Sequence, residues 1–232
     1  MNVLAVDTST NALQISLLFC SRFFECSCDF GLHHTEHLAV ETVELLRKAG
    51  IAAEELELIA CTSGPGSFTG LRIGMSFAKG YAAGLSLPLV SLPTLDLLAY
   101  GKEYFKGSVF PVIDARKNRI YTARYIGGRR VGEFLDIHPQ SIVSYLSEGE
   151  QALITGPYAF ELFAKVEEGL ASISPPPQID PLSLQPRGRA LVDMATTYYR
   201  LHGPDDKSAG PLYVRPSEAE LSASKSTSGG KS

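Results

Sequence analysis

Val3-Leu4-Ala5-Val6-Asp7-Thr8-Ser9-Thr10-Asn11 sets four apolar residues before an aspartate and a run of hydroxyl and amide side chains. A short apolar run closed in this way reads as a buried strand that feeds a tight turn. The residues beyond agree. Leu13, Ile15, Leu17 and Phe19 alternate with Gln14 and Ser16, the period of a second strand, and Arg22 to Phe30 supplies a third. The same opening recurs at Val109 to Ile113, which ends in Asp114 and is followed by strands at Ile120 to Tyr125 and Val131 to Leu135.

Outward from these two hairpins the pattern keeps repeating. In the first half a helix is predicted over Thr35 to Ala49, with Thr35 as its N-cap and Gly50 as its stop. A strand over Leu58 to Thr62 runs into Ser63-Gly64-Pro65-Gly66-Ser67, a helix covers Leu71 to Gly84, a strand Pro88 to Ser91 and a helix Pro93 to Ala99. In the second half Pro139 to Leu146 is helical, the strand Ala152 to Ile154 runs into Thr155-Gly156-Pro157, and helices follow over Tyr158 to Val166 and about Arg187 to Leu201. A strand-strand-strand-helix-strand-helix unit used twice is an α/β architecture: the duplicated ribonuclease-H-like two-lobe fold of sugar kinases, actin and chaperone ATPases. It places two Asp-bearing hairpins face to face across a cleft. The expected division is a first lobe over 1–104, a second over 105–216 and a tail over 217–232. That tail is rich in Ser, Ala, Gly and Lys and is expected to be disordered.

Composition narrows the function classes. With 44% hydrophobic and 20% charged residues, the 232-residue chain has the balance of an ordinary globular protein, and a net charge of −4 supplies no global field for nucleic acid. The segment Met1 to Asp7 has neither the basic start nor the apolar length of a signal peptide, and no apolar run is long enough to span a bilayer, so the cytoplasm is expected. Cys20, Cys26, Cys28 and Cys61 show no CxxC spacing and read as free thiols, Cys26 and Cys28 sharing one face of a strand.

Two groups of residues are candidates for function. Asp7, Thr8 and Ser9 on the first hairpin, Gly64, Gly66 and Ser67 on the Gly-Pro-Gly loop, and Asp114 with Arg116 on the second hairpin would border the inter-lobe cleft and could meet an anion or nucleotide. Each also has an ordinary reading: aspartates that cap turns, and glycines that let a helix lie against a sheet. Both readings stand at this point. The loop lacks the Gly-Lys-Ser/Thr of a phosphate-binding P-loop and the Gly-x-Ser-x-Gly frame of a nucleophile elbow. His33, His34 and His37 suggest a metal, but no HExxH pattern and no further ligand accompany them, so they read as polarity at a helix start and no metal is expected.

The second group lies on helices. Gly66, Gly70, Gly74 and Ala78 recur every fourth residue, although a glycine inside a helix costs about 1 kcal/mol relative to alanine. Close packing against another backbone would offset that cost. The helix is also apolar over most of its circumference. We therefore expect a partner to cover Gly70, Arg72, Gly74, Phe77, Ala78 and Tyr81 of this helix, together with Leu38, Val40, Val43 and Leu46 of the helix before it.

Four stretches resemble one known family. Ala5-Val6-Asp7-Thr8-Ser9, Ser63-Gly64-Pro65-Gly66-Ser67-Phe68-Thr69-Gly70-Leu71-Arg72-Ile73-Gly74, Val112-Ile113-Asp114-Ala115-Arg116-Lys117 with Tyr121, and Pro211-Leu212-Tyr213-Val214-Arg215-Pro216-Ser217-Glu218-Ala219-Glu220 are similar to motifs of the TsaB family, a glycoprotease-like branch of the actin and hexokinase superfamily. The resemblance implies a non-catalytic dimerisation subunit of the bacterial complex that puts a threonylcarbamoyl group on adenosine 37 of tRNA. It would bind TsaD directly and TsaE, an ATPase, within the complex. It would reach tRNA only through the assembly and pair with itself when TsaD is absent. The related TsaD carries a His-x-x-x-His metal motif, and the positions where its ligands would fall are Leu92 and Asp96. A leucine removes one ligand, so no catalytic metal and no tightly bound cofactor is expected, with weak nucleotide binding left open. The alternative is a phosphotransferase of this fold, or a glycoprotease-like peptidase, acting in the cleft. The hairpin Asp7-Thr8-Ser9-Thr10 lacks the Asp-x-Gly-x-Thr form such kinases use, which favours the scaffold.

Overall fold

All five residues of β1 (Val3–Asp7) are buried. A strand covered on both faces has no use for alternating polarity, which is why this one reads as a continuous apolar run. In the computed structural model, which describes residues 1–29, 31, 33–146 and 149–215, β1 is the centre of a five-stranded sheet. It pairs antiparallel with β2 (Ala12–Phe19), which pairs antiparallel with β3 (Arg22–Asp29). On its other side it runs parallel to β4 (Leu58–Gly64), which runs parallel to β5 (Leu89–Pro93).

The second sheet repeats the plan. Its centre is β6 (Ser108–Asp114), antiparallel to β7 (Ile120–Ile126) and then β8 (Arg129–Ile137), and parallel to β9 (Ala152–Thr155) and then the two-residue β10 (Gln178–Ile179). The orders β3-β2-β1-β4-β5 and β8-β7-β6-β9-β10 are the same order written twice. The duplication expected from the sequence is therefore present. Only β10, too short to carry a pattern, had no sequence signal.

Helices α1 (His34–Ala49) and α2 (Phe68–Leu85) cover one face of the first sheet, where Leu4, Val6, Leu13, Ile15, Ile59 and Cys61 meet Leu38, Leu45, Met75 and Ala78. A 3-10 helix over Pro139–Tyr145 and α4 (Ala159–Ala171) cover the equivalent face of the second. Two helix signals need correction. Helix α1 begins at His34, one residue before the expected cap Thr35, and no side-chain cap closes it, whereas Gly50 ends it in the left-handed conformation at φ 70°. Pro139–Tyr145 is 3-10 rather than α-helical.

The remaining helices cross between lobes. Helix α5 (Gly188–His202) belongs by sequence to the second half, yet its Leu191, Val192 and Ala195 pack on Val3, Ala5, Leu58, Ala60 and Val90 of the first sheet. Helix α3 (Thr94–Ala99) ends the first half, and its Leu95, Leu98 and Ala99 pack on Val109, Ile113, Tyr121, Ala123 and Tyr125 of the second. The division at 104/105 thus separates the sheets but not the helices, and residues 188–202 move from the expected second lobe to the first. Each lobe supplies the lid for the other's outer face, so neither lobe buries both faces alone. A buried ion pair fixes the crossing. Lys102 in the linker donates to Asp180 at 2.6 Å, and Asp180 also accepts from the Thr155 hydroxyl at 2.7 Å and the Leu182 amide at 3.0 Å. The expected tail, 217–232, lies outside the described residues.

Candidate functional site

The cleft residues are engaged with one another. Asp7 Oδ1 accepts from the Ser9 amide at 2.9 Å, the Ser9 hydroxyl at 2.6 Å and the Thr62 hydroxyl at 2.8 Å. Three donors on one buried carboxylate oxygen make a bracket that joins the β1–β2 turn to β4. The turn is then sewn to the Gly-Pro-Gly loop: the Thr8 hydroxyl donates to the Gly70 carbonyl at 2.8 Å, and the Ser67 amide donates to the Ser9 carbonyl at 2.7 Å. Ser67 caps α2 by accepting from the Gly70 amide at 3.2 Å.

These contacts explain the glycine spacing and correct its reading. A Cβ on Gly66 would collide with the Ser9 carbonyl, one on Gly70 with the Thr8 carbonyl, and one on Gly74 with the Thr8 hydroxyl. The strip of small residues faces the chain's own β1–β2 turn. Gly70, Gly74 and Ala78 are buried within the lobe, as are Leu38 and Leu46 of α1. Gly70, Gly74, Ala78 and Leu46 do not lie on an open partner-binding face, and Leu38, though it borders the groove between α1 and α2, is only 2% exposed. The residues recur at helical period, but period alone cannot tell which side of a helix meets the chain itself.

On the opposite lobe, Asp114 accepts from the Arg116 amide at 2.8 Å and pairs with the Arg116 guanidinium at 3.1 Å. Arg116, Lys117 and Asn118 all take left-handed backbone angles, with φ of 61°, 52° and 54°. Arg116 also donates to Asn11 Oδ1 at 3.2 Å, so the two hairpins do meet across the junction as the duplication implied.

A segment whose role the sequence did not disclose lies over this junction. The Leu212 amide donates to the Ser63 carbonyl at 2.7 Å. Gly64, at φ 116°, has no room for a Cβ because the Leu212 carbonyl is there. Arg215 donates to the Ala115 carbonyl at 2.6 Å, and its Nε lies 3.6 Å from Asp136. Val214 packs on the second lobe's outer core. Residues 212–215 therefore strap one lobe to the other directly over the Gly-Pro turn. Contacts made across the whole chain leave no periodic trace in the sequence of residues 212–215.

What stays open is a groove between α1 and α2. Thr35, Leu38, Ala39, Arg72, Ile73, Ser76 and Phe77 line a concavity of about 400 Å³. Val40 and Val43 of α1 have 63% and 62% of their surface exposed, and Phe77 and Tyr81 of α2 are half-buried with ring centroids 5.3 Å apart. Of the ten expected interface residues, Val40, Val43, Arg72, Phe77 and Tyr81 are thus accessible.

The metal expectations can be placed as well. Leu92 is buried, and Asp96 accepts from the Tyr125 hydroxyl and lies 3.7 Å from Arg130 Nε. His33 pairs with Glu36 at 3.0 Å and His34 bonds to the Thr10 carbonyl at 2.9 Å. Among the described residues no group of three or more His, Cys, Asp or Glu side chains is arranged to hold a metal ion. Among the same residues no helix is long and apolar enough to cross a membrane.

Comparison with known proteins gives a consistent family. The description of TsaD, tRNA N6-adenosine threonylcarbamoyltransferase, matches residues 30–179. The chain is 34% identical over 126 residues to the tRNA threonylcarbamoyladenosine biosynthesis protein TsaB of Bacillus subtilis, covering 54% of this chain and 55% of that one. It is 30% identical over 160 residues to the uncharacterized protein Mb3455c of Mycobacterium bovis, covering 66% of this chain and 74% of the relative. The chain spans about half the length of the curated TsaB relatives it matches, 55% for both the Bacillus subtilis and the Escherichia coli proteins. Among solved structures, YeaZ from Pseudomonas aeruginosa superposes with a TM-score of 0.75 at 26% identity, over 92% of this chain and 99% of that one. A Bacteroides thetaiotaomicron protein with an actin-like ATPase fold superposes at 0.50 and 11% identity over 83% of this chain and 95% of that one, a likeness of fold alone.

Proposed function

The chain belongs to the TsaB/YeaZ family, whose members carry a TsaD-like domain, and from that membership we propose that it serves in forming threonylcarbamoyladenosine on tRNA as a subunit that binds TsaD and performs no chemistry itself. The observation that carries this reading is the contrast between the two surfaces. The junction uses its own functional groups: Asp7 holds three donors, Asp114 holds Arg116, and residues 212–215 lie over the Gly-Pro turn. The α1–α2 surface stays open: a groove lies between the two helices, and Val40 and Val43 of α1 are in solvent.

TsaD would dock on that groove, and a second copy of this chain would occupy it when TsaD is absent. TsaE would join the assembly, and tRNA would be reached through TsaD, in keeping with a net charge of −4. No tightly bound cofactor is needed for this role. A nucleotide reaching the junction would compete with the strap and bind weakly. The phosphotransferase and peptidase alternatives are disfavoured by the engagement of both hairpin carboxylates, Asp7 with Ser9 and Thr62, and Asp114 with Arg116.

The test is a transfer assay on tRNA with TsaE present and with this chain, TsaD, or both supplied. Product is expected only with both, and Asp114→Ala in this chain should leave the rate unchanged. Product from this chain without TsaD would overturn the reading.

A further inference from the structure

Arg72 belongs to two surfaces at once. It lines the α1–α2 groove, and it holds the strap. Its Nε donates to the Tyr213 hydroxyl at 3.0 Å, and its guanidinium lies 4.0 Å over the Phe68 ring. Phe68 and Tyr213 are themselves 5.1 Å apart, centroid to centroid. The strap is anchored elsewhere by backbone and carboxylate contacts: the Asp205 amide donates to the Leu89 carbonyl, Ser91 donates to Asp205, and the Leu212 amide donates to Ser63. Two side chains of helix α2 reach this segment: Lys79 Nζ donates to the Lys207 carbonyl at 3.1 Å, and Arg72, which also lines the groove, bonds to Tyr213.

The guanidinium fork has five donors, and this arrangement uses one. Nη1 and Nη2 of Arg72 make no hydrogen bond to any described residue. They remain available while Tyr213 is held, and a planar pair of N–H donors matches a carboxylate.

We propose that the occupant of the groove presents a carboxylate to Nη1 and Nη2 of Arg72, and that this contact locks the strap over the lobe junction. The physical link is the freedom of the arginine. A long side chain must give up rotamer entropy to hold Tyr213. An occupant that fixes the same guanidinium meets that cost in advance, so the bond to Tyr213 forms more readily. Linkage makes the effect reciprocal: a strap already bonded to Arg72 raises the affinity of the groove for its occupant by the same factor. The inference rests on the groove being the TsaD-docking face, and it adds the chemistry of the contact and its consequence at the cleft.

The experiment is a calorimetric titration of full-length TsaD from the same organism into the wild type, Tyr213→Phe, Arg72→Ala and the double variant. Tyr213→Phe keeps the ring on Phe68 and removes only the hydroxyl acceptor. Affinity should fall about threefold to tenfold, the range of one hydrogen bond. In the Arg72→Ala background the same change should do nothing further. Hydrogen exchange at Leu212 to Arg215 should slow on TsaD binding in the wild type and not in Arg72→Ala. Arg72→Lys, which keeps the charge and loses the fork, replaces Arg72→Ala if the latter unfolds. Wild-type binding that Tyr213→Phe leaves unchanged overturns the coupling while the docking face stands. A wild type that does not bind TsaD overturns both.

Discussion

The Thr8 hydroxyl occupies the space that a side chain at position 74 would need. It also donates to the Gly70 carbonyl at 2.8 Å, one turn earlier on the same helix. Gly74→Leu therefore strikes the monomer. It should lower stability by about 1–3 kcal/mol, the range for overpacking a filled site, because the Thr8 side chain in the way is short, β-branched and held by its bond to Gly70. Thermal unfolding of the isolated protein checks this. A variant that melts with the wild type and loses only partner binding would put the strip back on an open face.

The two hairpin aspartates should part company. Asp7→Ala leaves the Ser9 amide and the Ser9 and Thr62 hydroxyls without their acceptor in a buried turn. The expected loss is about 2–4 kcal/mol, since unpaired buried donors cost more than the bonds were worth. Asp114→Ala removes a carboxylate whose main partner is the exposed Arg116, and should cost about 1 kcal/mol or less. Urea titrations of both variants decide it; equal losses would contradict the bracket role of Asp7.

How far the sequence could be read follows from where each signal lives. The hairpins at Asp7 and Asp114 declare themselves locally, through an apolar run, a carboxylate and turn residues, and both sheets follow from them. Of the residues expected at an interface from their place on the two helices, Val40, Val43, Arg72, Phe77 and Tyr81 are accessible. Gly70, Gly74 and Ala78 carry a helical spacing for another reason, the close approach of Thr8, and sequence period does not distinguish a chain's own turn from a partner's helix. The crossing of α3 and α5, the Lys102–Asp180 pair and the strap to Tyr213 are contacts between distant segments, and none leaves a local pattern.

Acid should open the lobe crossing. Burial of Asp180 favours its neutral form, but the hydrogen bonds from Lys102, Thr155 and the Leu182 amide outweigh this and hold its pKa below the usual aspartate value. A carboxylate with a depressed folded pKa contributes stability that is complete above its unfolded pKa, near 4 for aspartate, and that is lost as pH falls through the lower folded value. Stability attributable to Asp180 should be flat above about pH 5 and decline below about pH 4. Lys102→Ala should raise the pKa of Asp180 and move the acid limb to higher pH. An acid limb that does not move would show that the pair contributes nothing to the crossing.

Cys26 should be a slow thiol. Burial, a hydrogen bond with Cys28 at 3.8 Å and the nearby Glu41 carboxylate push its pKa up to about 12. Little thiolate is then present at neutral pH, and thiolate is the reactive form. Iodoacetamide labelling at pH 7.5, followed by peptide mass spectrometry, should modify the exposed Cys20 well before Cys26. Labelling of Cys26 first would contradict the environment described.

The most direct measurement of the central claim is the affinity of TsaD for Val43→Asp. Val43 is exposed, so a carboxylate there leaves the fold of the isolated chain intact, and thermal unfolding should match the wild type. In a docked complex the same carboxylate would be buried without a partner, and binding should weaken by about thirtyfold or more, the level of an interface hot spot. A Val43→Asp protein that is folded and binds TsaD as tightly as the wild type would contradict the account.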